Sequence, residues 1–207
     1  SYTGNGTDDT DISHNLSAVP KMIIVKNRDA ADAWQVYHAG NTAAPETDYL
    51  VLNETNATAD NVDRWSDEAP TSSVFTLGDA DEVNTNTENY IAYCFAEKQG
   101  YSKIGSYTGN GDADGTFVYT GFRPAFIMVK NYTGLGENWF IWDNKRDGYN
   151  VVNRYLRPNL SNAEGYYEAI DILSNGFKNR NTSGSANGSD TYIYMAFAEA
   201  PFVNSNG

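Results

Sequence analysis

The six residues Ser1–Gly6, SYTGNG, occur again at Ser106–Gly111. A chain that restates itself near its midpoint is expected to fold as two copies of one unit, so this recurrence limits the fold more than any bulk property does. The match continues in order along the chain. Pro20–Asn27 (PKMIIVKN) aligns with Pro124–Asn131 (PAFIMVKN), and Trp34–Tyr37 with Trp139–Trp142. Tyr49–Asn53 (YLVLN) aligns with Tyr149–Asn153 (YNVVN), and Tyr90–Glu97 (YIAYCFAE) with Tyr192–Glu199 (YIYMAFAE). The offset stays between 100 and 105 residues, which sets the expected domains at 1–105 and 106–207. The stretches between the blocks diverge, as loops do.

The two ends carry the same period. Eight residues separate Glu97 from Ser106, and eight follow Glu199 to Gly207, so a further SYTGNG after Gly207 would fall in register. This predicts a subunit cut from a run of such units, or one that assembles head to tail into a homopolymer. The expected partners are therefore copies of the chain itself. The segments expected to make the contact are Ser1, Tyr2, Thr3 and Gly4 at one end and Pro201, Phe202 and Val203 at the other. The expected route is addition of an extended terminus to an open sheet edge.

Apolar runs are short, rich in β-branched and aromatic residues, and bounded by Gly, Asn, Asp and Pro, while helical periodicity is nearly absent. Lys21–Lys26 and Ala125–Lys130 read as central strands. Trp34–His38, Trp139–Asp143, Tyr90–Ala96 and Tyr192–Ala198 read as strands with an aromatic face. Ile12–Leu16, Val74–Leu77, Phe117–Tyr119 and Ala169–Leu173 are weaker strand patterns, and a helical turn is expected near Ser161–Tyr166. The fold class predicted is all-β: two tandem, jelly-roll-like β-sandwiches from an internal duplication.

Charge narrows the partners. Fourteen basic against 27 acidic residues give a net charge of −13, the opposite of a phosphate-backbone binder, so no nucleic acid is expected. No apolar run reaches the length of a membrane span. The single cysteine, Cys94, cannot form an internal disulfide and reads as a small core residue. Asn5, Asn15, Asn53, Asn56, Asn131, Asn159, Asn181 and Asn187 each head an Asn-X-Ser/Thr acceptor triplet and are the expected glycan positions in a secreted chain.

Little in the sequence supports catalysis. His14 and His38 have no histidine counterparts in the other repeat, and Glu97 and Glu199 read as structural acids at strand ends. No cofactor and no metal are expected. Asp112 and Asp114 form a weak Ca²⁺ pattern that lacks the closing Glu of a calcium loop and reads first as a solvated acidic turn. Of the paired aromatics, Trp142 is the candidate for a glycan-stacking ring.

Two stretches bring a family into view. The second repeat contains YSKIGSYTGNGDADGTFVYTGFRPAFIMVKN, ILSNGFK and TYIYMAFAEAPF, and the first contains SAVPKMIIVKN, WQVYH and YIAYCFAE. Together they resemble an uncharacterised tandem β domain family found in phage tail-fibre and virion structural proteins and in related bacterial surface proteins. The resemblance implies β architecture, a fibre or appendage context, and a location outside the cell or on the virion surface. The function expected is a non-enzymatic structural subunit of an extracellular or phage-borne fibre. A carbohydrate-binding, receptor-recognition module of a tail fibre is the alternative, with surface glycans as partners. A polysaccharide depolymerase has the least support.

Overall fold

In the computed structural model, residues 1–200 are described, and they divide into two units, Ser1–Ala96 and a second that begins at Glu97. The division falls nine residues before the expected 105/106 boundary because the strand Ser102–Thr108 runs straight through that point and pairs wholly within the second unit. Both units are built from antiparallel sheets, and the only helices among the described residues are two single turns.

The first unit comprises β1 (Tyr2–Thr3), β2 (Thr10–Ser13), β3 (Met22–Asn27), β4 (Gln35–His38), β5 (Asp48–Val51), β6 (Ala59–Asp60), α1 (Val62–Trp65), β7 (Val74–Leu77), α2 (Asp81–Asn84) and β8 (Asn89–Phe95). Six of its strands make one sheet in the order β1-β8-β3-β4-β5-β6, and β2 and β7 pair separately. The core lies between the two layers: Ile23, Val25, Tyr37 and Tyr90 from the large sheet meet Phe75 and Leu77 of β7, Trp65 of α1 and Val83 of α2. Asn61 caps α1 by accepting the Asp63 N–H, and Ser66 ends it in a left-handed conformation.

The second unit comprises β9 (Ser102–Thr108), β10 (Phe117–Tyr119), β11 (Pro124–Asn131), β12 (Trp139–Asp143), β13 (Val152–Tyr155), β14 (Gly165–Leu173), β15 (Gly176–Asn179) and β16 (Thr191–Ala198). Two four-stranded sheets, β12-β11-β16-β9 and β10-β15-β14-β13, close on one core. One sheet supplies Ile127, Val129, Phe140, Trp142, Tyr192 and Tyr194; the other supplies Val118, Val152, Tyr155, Ile170, Ile172 and Phe177. The chain changes sheet after β9, β10, β12 and β15, which gives the wrapped, jelly-roll-like path. The helical turn expected at Ser161–Tyr166 is absent, and Gly165 instead opens β14.

The duplication holds to the level of strand register. Ile23 faces Cys94 and Tyr37; its equivalent Ile127 faces Ala196 and Trp142. Asn27 faces Tyr90, as Asn131 faces Tyr192. The second layer repeats as well, with Ile12 opposite Phe75 and Val118 opposite Phe177.

One aligned block moves. The structural counterpart of Tyr49–Asn53 is Tyr155–Asn159 (YLRPN), not Tyr149–Asn153. Leu50 pairs with Val36 as Leu156 bridges to Ile141, and the Trp34 and Trp139 N–H groups donate to Asn53 Oδ1 and Asn159 Oδ1. Arg64 lies over the Tyr49 ring and Arg157 over the Tyr155 ring, 5.0 and 5.2 Å from the centroids.

Candidate functional site at an open strand edge

SYTGNG earns its recurrence locally. Tyr2 stacks on Tyr90 with centroids 5.2 Å apart, and Tyr107 stacks on Tyr192 at 4.9 Å. Their hydroxyls donate to the carbonyls of Val83 and Ala186. Gly4 and Gly109 run so close to the opposite backbone that a Cβ would stand 2.2 Å from the Thr85 oxygen and 2.0 Å from the Gly188 oxygen. A buried asparagine then locks each loop. Asn84 Nδ2 donates to Asn5 Oδ1, Thr7 O and Gly78 O; Asn187 Nδ2 donates to Asn110 Oδ1, Asp112 O and Asn181 O.

Where the loops agree, the strands before them do not. β9 pairs with β16 over seven residues, Thr108 opposite Thr191 through Ser102 opposite Phe197. β1 contributes only Tyr2 and Thr3, opposite Tyr90 and Asn89 of the seven-residue β8. The bonds Gly4 N–H to Glu88 O on one side of β8 and Lys21 N–H to Phe95 O on the other fix its alternation. Even-numbered residues of β8 turn their N–H and C=O toward the β1 side. Ala92 and Cys94 therefore present theirs to an edge that no strand among the described residues covers. Their equivalents Tyr194 and Ala196 face Gly105 and Lys103.

The side chains differ in step. Tyr194 is buried, 5.7 Å from the Phe177 ring in an edge-on contact, and its phenol lies over Gly105, where a Cβ would meet it at 3.2 Å. In the first unit the equivalents are Ala92 and Phe75. The space that Tyr194 fills in the second unit is here a cleft of about 330 Å³, lined by Tyr2, Ile12, Phe75, Ala92 and Cys94, with Ser1 and Ser13–Leu16 at its rim. Cys94, read from sequence as a core residue, is half-buried against the first unit's core. Burial still pushes its thiol up to about 11, with the N-terminal amine opposing the shift.

The expected site residues fall as follows. Ser1 lines the cleft, Tyr2 and Thr3 form β1, and Gly4 follows it, so this end is built into its own unit rather than free to reach a neighbour. Pro201, Phe202 and Val203 lie outside the described residues. Trp142 is not a stacking platform: it is 1 % exposed, and its Nε1–H donates to Glu168 O across the core. Other rings are exposed: Tyr149 is 88 % exposed, and Tyr166 and Tyr167 stand edge-on at 5.1 Å, with Tyr167 82 % exposed and held at φ +124°.

The acceptor triplets divide by burial. Asn131, Asn181 and Asn187 are buried, with their amide nitrogens committed to Gly184 O and Asp190, to Ala169 O, and to the loop just described. A glycan needs that nitrogen exposed, so these three are not glycan positions in the folded unit. Asn159 is half-buried and donates to Asn138 Oδ1, whereas Asn5, Asn15, Asn53 and Asn56 are exposed. The Ca²⁺ pattern also fails. Asp114 is held below the usual carboxylate range by Lys178, 2.7 Å away, and then Arg180, while Asp112 accepts the Asp114 N–H. No group of three ligating side chains suited to a metal exists among the described residues. Nor is any described helix long and apolar enough to cross a membrane.

The fold is that of a duplicated all-β protein whose two units agree in strand order and in register. The chain belongs to the family described as a domain of unknown function (DUF7483), which matches residues 1–201 and so spans both units. No curated protein and no solved structure matches it.

Proposed function

We propose that this chain is a non-enzymatic structural subunit that assembles head to tail, through its terminal segments, into an extracellular or phage-borne fibre. The observation that supports the reading is the duplication, two tandem antiparallel units that agree in strand order and in register. The resemblance to virion fibre proteins supports the setting. Removing residues 201–207 and following assembly by light scattering tests it: loss of polymer is expected, and unchanged polymer refutes the route.

A second reading, carbohydrate recognition, is favoured by the exposed Tyr166–Tyr167 pair, beside which Arg154 and Glu164 form an ion pair. Tyr167→Ala should abolish any signal on a glycan array. Equal binding by that variant, or no signal from the natural chain, removes this reading.

A further inference from the structure

We infer that the Tyr166–Tyr167 pair is a binding corner for one neutral pyranose at the end or a branch of a soluble glycan. The inference rests on the carbohydrate reading above and adds to it the class of sugar and the form of the glycan.

The backbone sets this pair apart. Neighbouring residues of a strand turn to opposite faces, so their rings do not ordinarily meet. Here the two centroids are 5.1 Å apart. They meet because β14 bulges: Val152 pairs with Ile170 and Arg154 with Tyr166, so two steps along β13 face four along β14. Tyr167 lies inside the bulge at φ +124°, a region that a bulky residue enters only under strain. The core side of the bulge is pinned. Trp142 Nε1–H donates to Glu168 O, and Asn181 Nδ2 donates to Ala169 O. The strained turn thus holds two rings in water, where their contact fills no core. Exposed ring faces of this kind stack on the apolar C–H face of a sugar.

The ring angle limits the ligand. The two planes cross at 78°, so the pair makes a corner rather than a strip. A flat polysaccharide surface needs rings lying in one plane, because its sugars lay the same face on each. A corner instead takes a single pyranose, with its C–H face on one ring and its rim against the other. A terminal or branching sugar presents both.

Charge limits it further. Arg154 stands opposite Tyr166, so their side chains share a face. Its Nη1 lies 3.3 Å from Glu164 and its Nε 3.5 Å from Asp147, while Arg146 meets Glu164 at 2.8 Å and Asp143 at 2.7 Å. Two guanidinium groups therefore answer three carboxylates, in a chain of net charge −13. A sialic acid, uronic acid or sulfated sugar would meet excess negative charge here. Neutral hydroxyls suit the network, because each can donate to a carboxylate oxygen and accept from a guanidinium N–H.

The test uses the whole chain on an array of neutral oligosaccharides, each also printed with one further neutral hexose or with a sialic acid at its end. Pelleting with microcrystalline cellulose is measured alongside. Signal is expected on both neutral sets, about tenfold or more above the sialylated set, with no chain in the cellulose pellet. Tyr167→Gly should lower that signal about tenfold or more while leaving the melting temperature equal or higher, since glycine takes positive φ without strain. Tyr167→Phe keeps the ring and should keep the signal. The inference is overturned if the sialylated set binds as well as the neutral sets, if the chain pellets with cellulose, or if Tyr167→Gly binds like the natural chain. When either of the first two occurs and Tyr167→Gly is inactive, the carbohydrate reading stands and only the class of sugar or the form of the glycan falls. No signal from the natural chain on any set removes both.

Discussion

The two units share one half and differ in the other. β1-β8-β3-β4 and β9-β16-β11-β12 agree in order and in register, with the same stacked tyrosines and the same buried asparagine closing the loop. The second layers have parted. In the first unit Tyr49–Leu52 stays beside β4, and Trp65 of α1 packs edge-on against Tyr37 at 6.0 Å. In the second, β13 joins β14 instead, Tyr155 lies against Gly165, and Trp142 in place of Tyr37 reaches Glu168 on β14. A Cβ on Gly165 would stand 2.2 Å from the Tyr155 ring, so the glycine is what lets that ring cross the strand. The difference teaches which interactions define this fold. Polar locks built from backbone groups have survived duplication, while volume has been redistributed between facing residues.

That comparison can be broken experimentally, and the largest effect should come from the facing pair at the edge. Tyr194→Ala is expected to destabilise the second unit by about 3 kcal/mol, the usual cost of emptying a buried aromatic site. Ala92→Tyr should stabilise the first by about 1 kcal/mol. Urea unfolding read by amide hydrogen exchange over β11 and β3 separates the two units. Destabilisation by both substitutions would mean that the cleft is as tightly packed as its filled counterpart.

The polar locks come next. Asn84→Ala and Asn187→Ala should each cost about 2 kcal/mol, because both strand several buried carbonyls without a donor. A cost in one unit alone would show that the shared loop is ornament in the other.

The pH dependence should run in opposite directions. Lys130 is fully buried, and burial, partly offset by Glu137, brings its ammonium down to about 8. The folded state then releases that proton before the unfolded chain does, so the second unit should gain stability as pH rises from about 8 to about 10. Cys94 behaves conversely. Its folded pKa of about 11 lies above that of the unfolded thiol, so the first unit should lose stability from about pH 9 to 11. Each change is on the order of 1 kcal/mol, and Lys130→Met and Cys94→Ala should flatten them. The smallest effect is expected from Asp114→Asn. Its carboxylate is well exposed despite two cationic partners, so melting should shift by less than about 1 °C.

Much of this was legible in the sequence because the shared half is written in rigid letters. Pro-X-X-Ile-X-Val-Lys-Asn names a central strand together with its polar stop, and Asn27 and Asn131 each turn their Oδ1 onto the next backbone N–H groups. The misplaced block shows the limit. YNVVN looks more like YLVLN than YLRPN does, since hydrophobic letters weigh more in the eye than a Tyr and an Asn six residues further on. The Asn159 bond to the Trp139 backbone and the Leu156 bridge to Ile141 reveal the true match. Trp142 misled for a related reason. A tryptophan on β12, an outer strand of its sheet, gives no local sign of which face is covered, and here β14 covers it.

The buried asparagines also bear on how each unit comes apart. Asn84 ties the loop after β1 to the turn after β7, and Asn187 ties the loop after β9 to the turn after β15. Neither loop can lift without stranding carbonyls on the far side of its unit, so each should keep its amide protons until that unit unfolds as a whole.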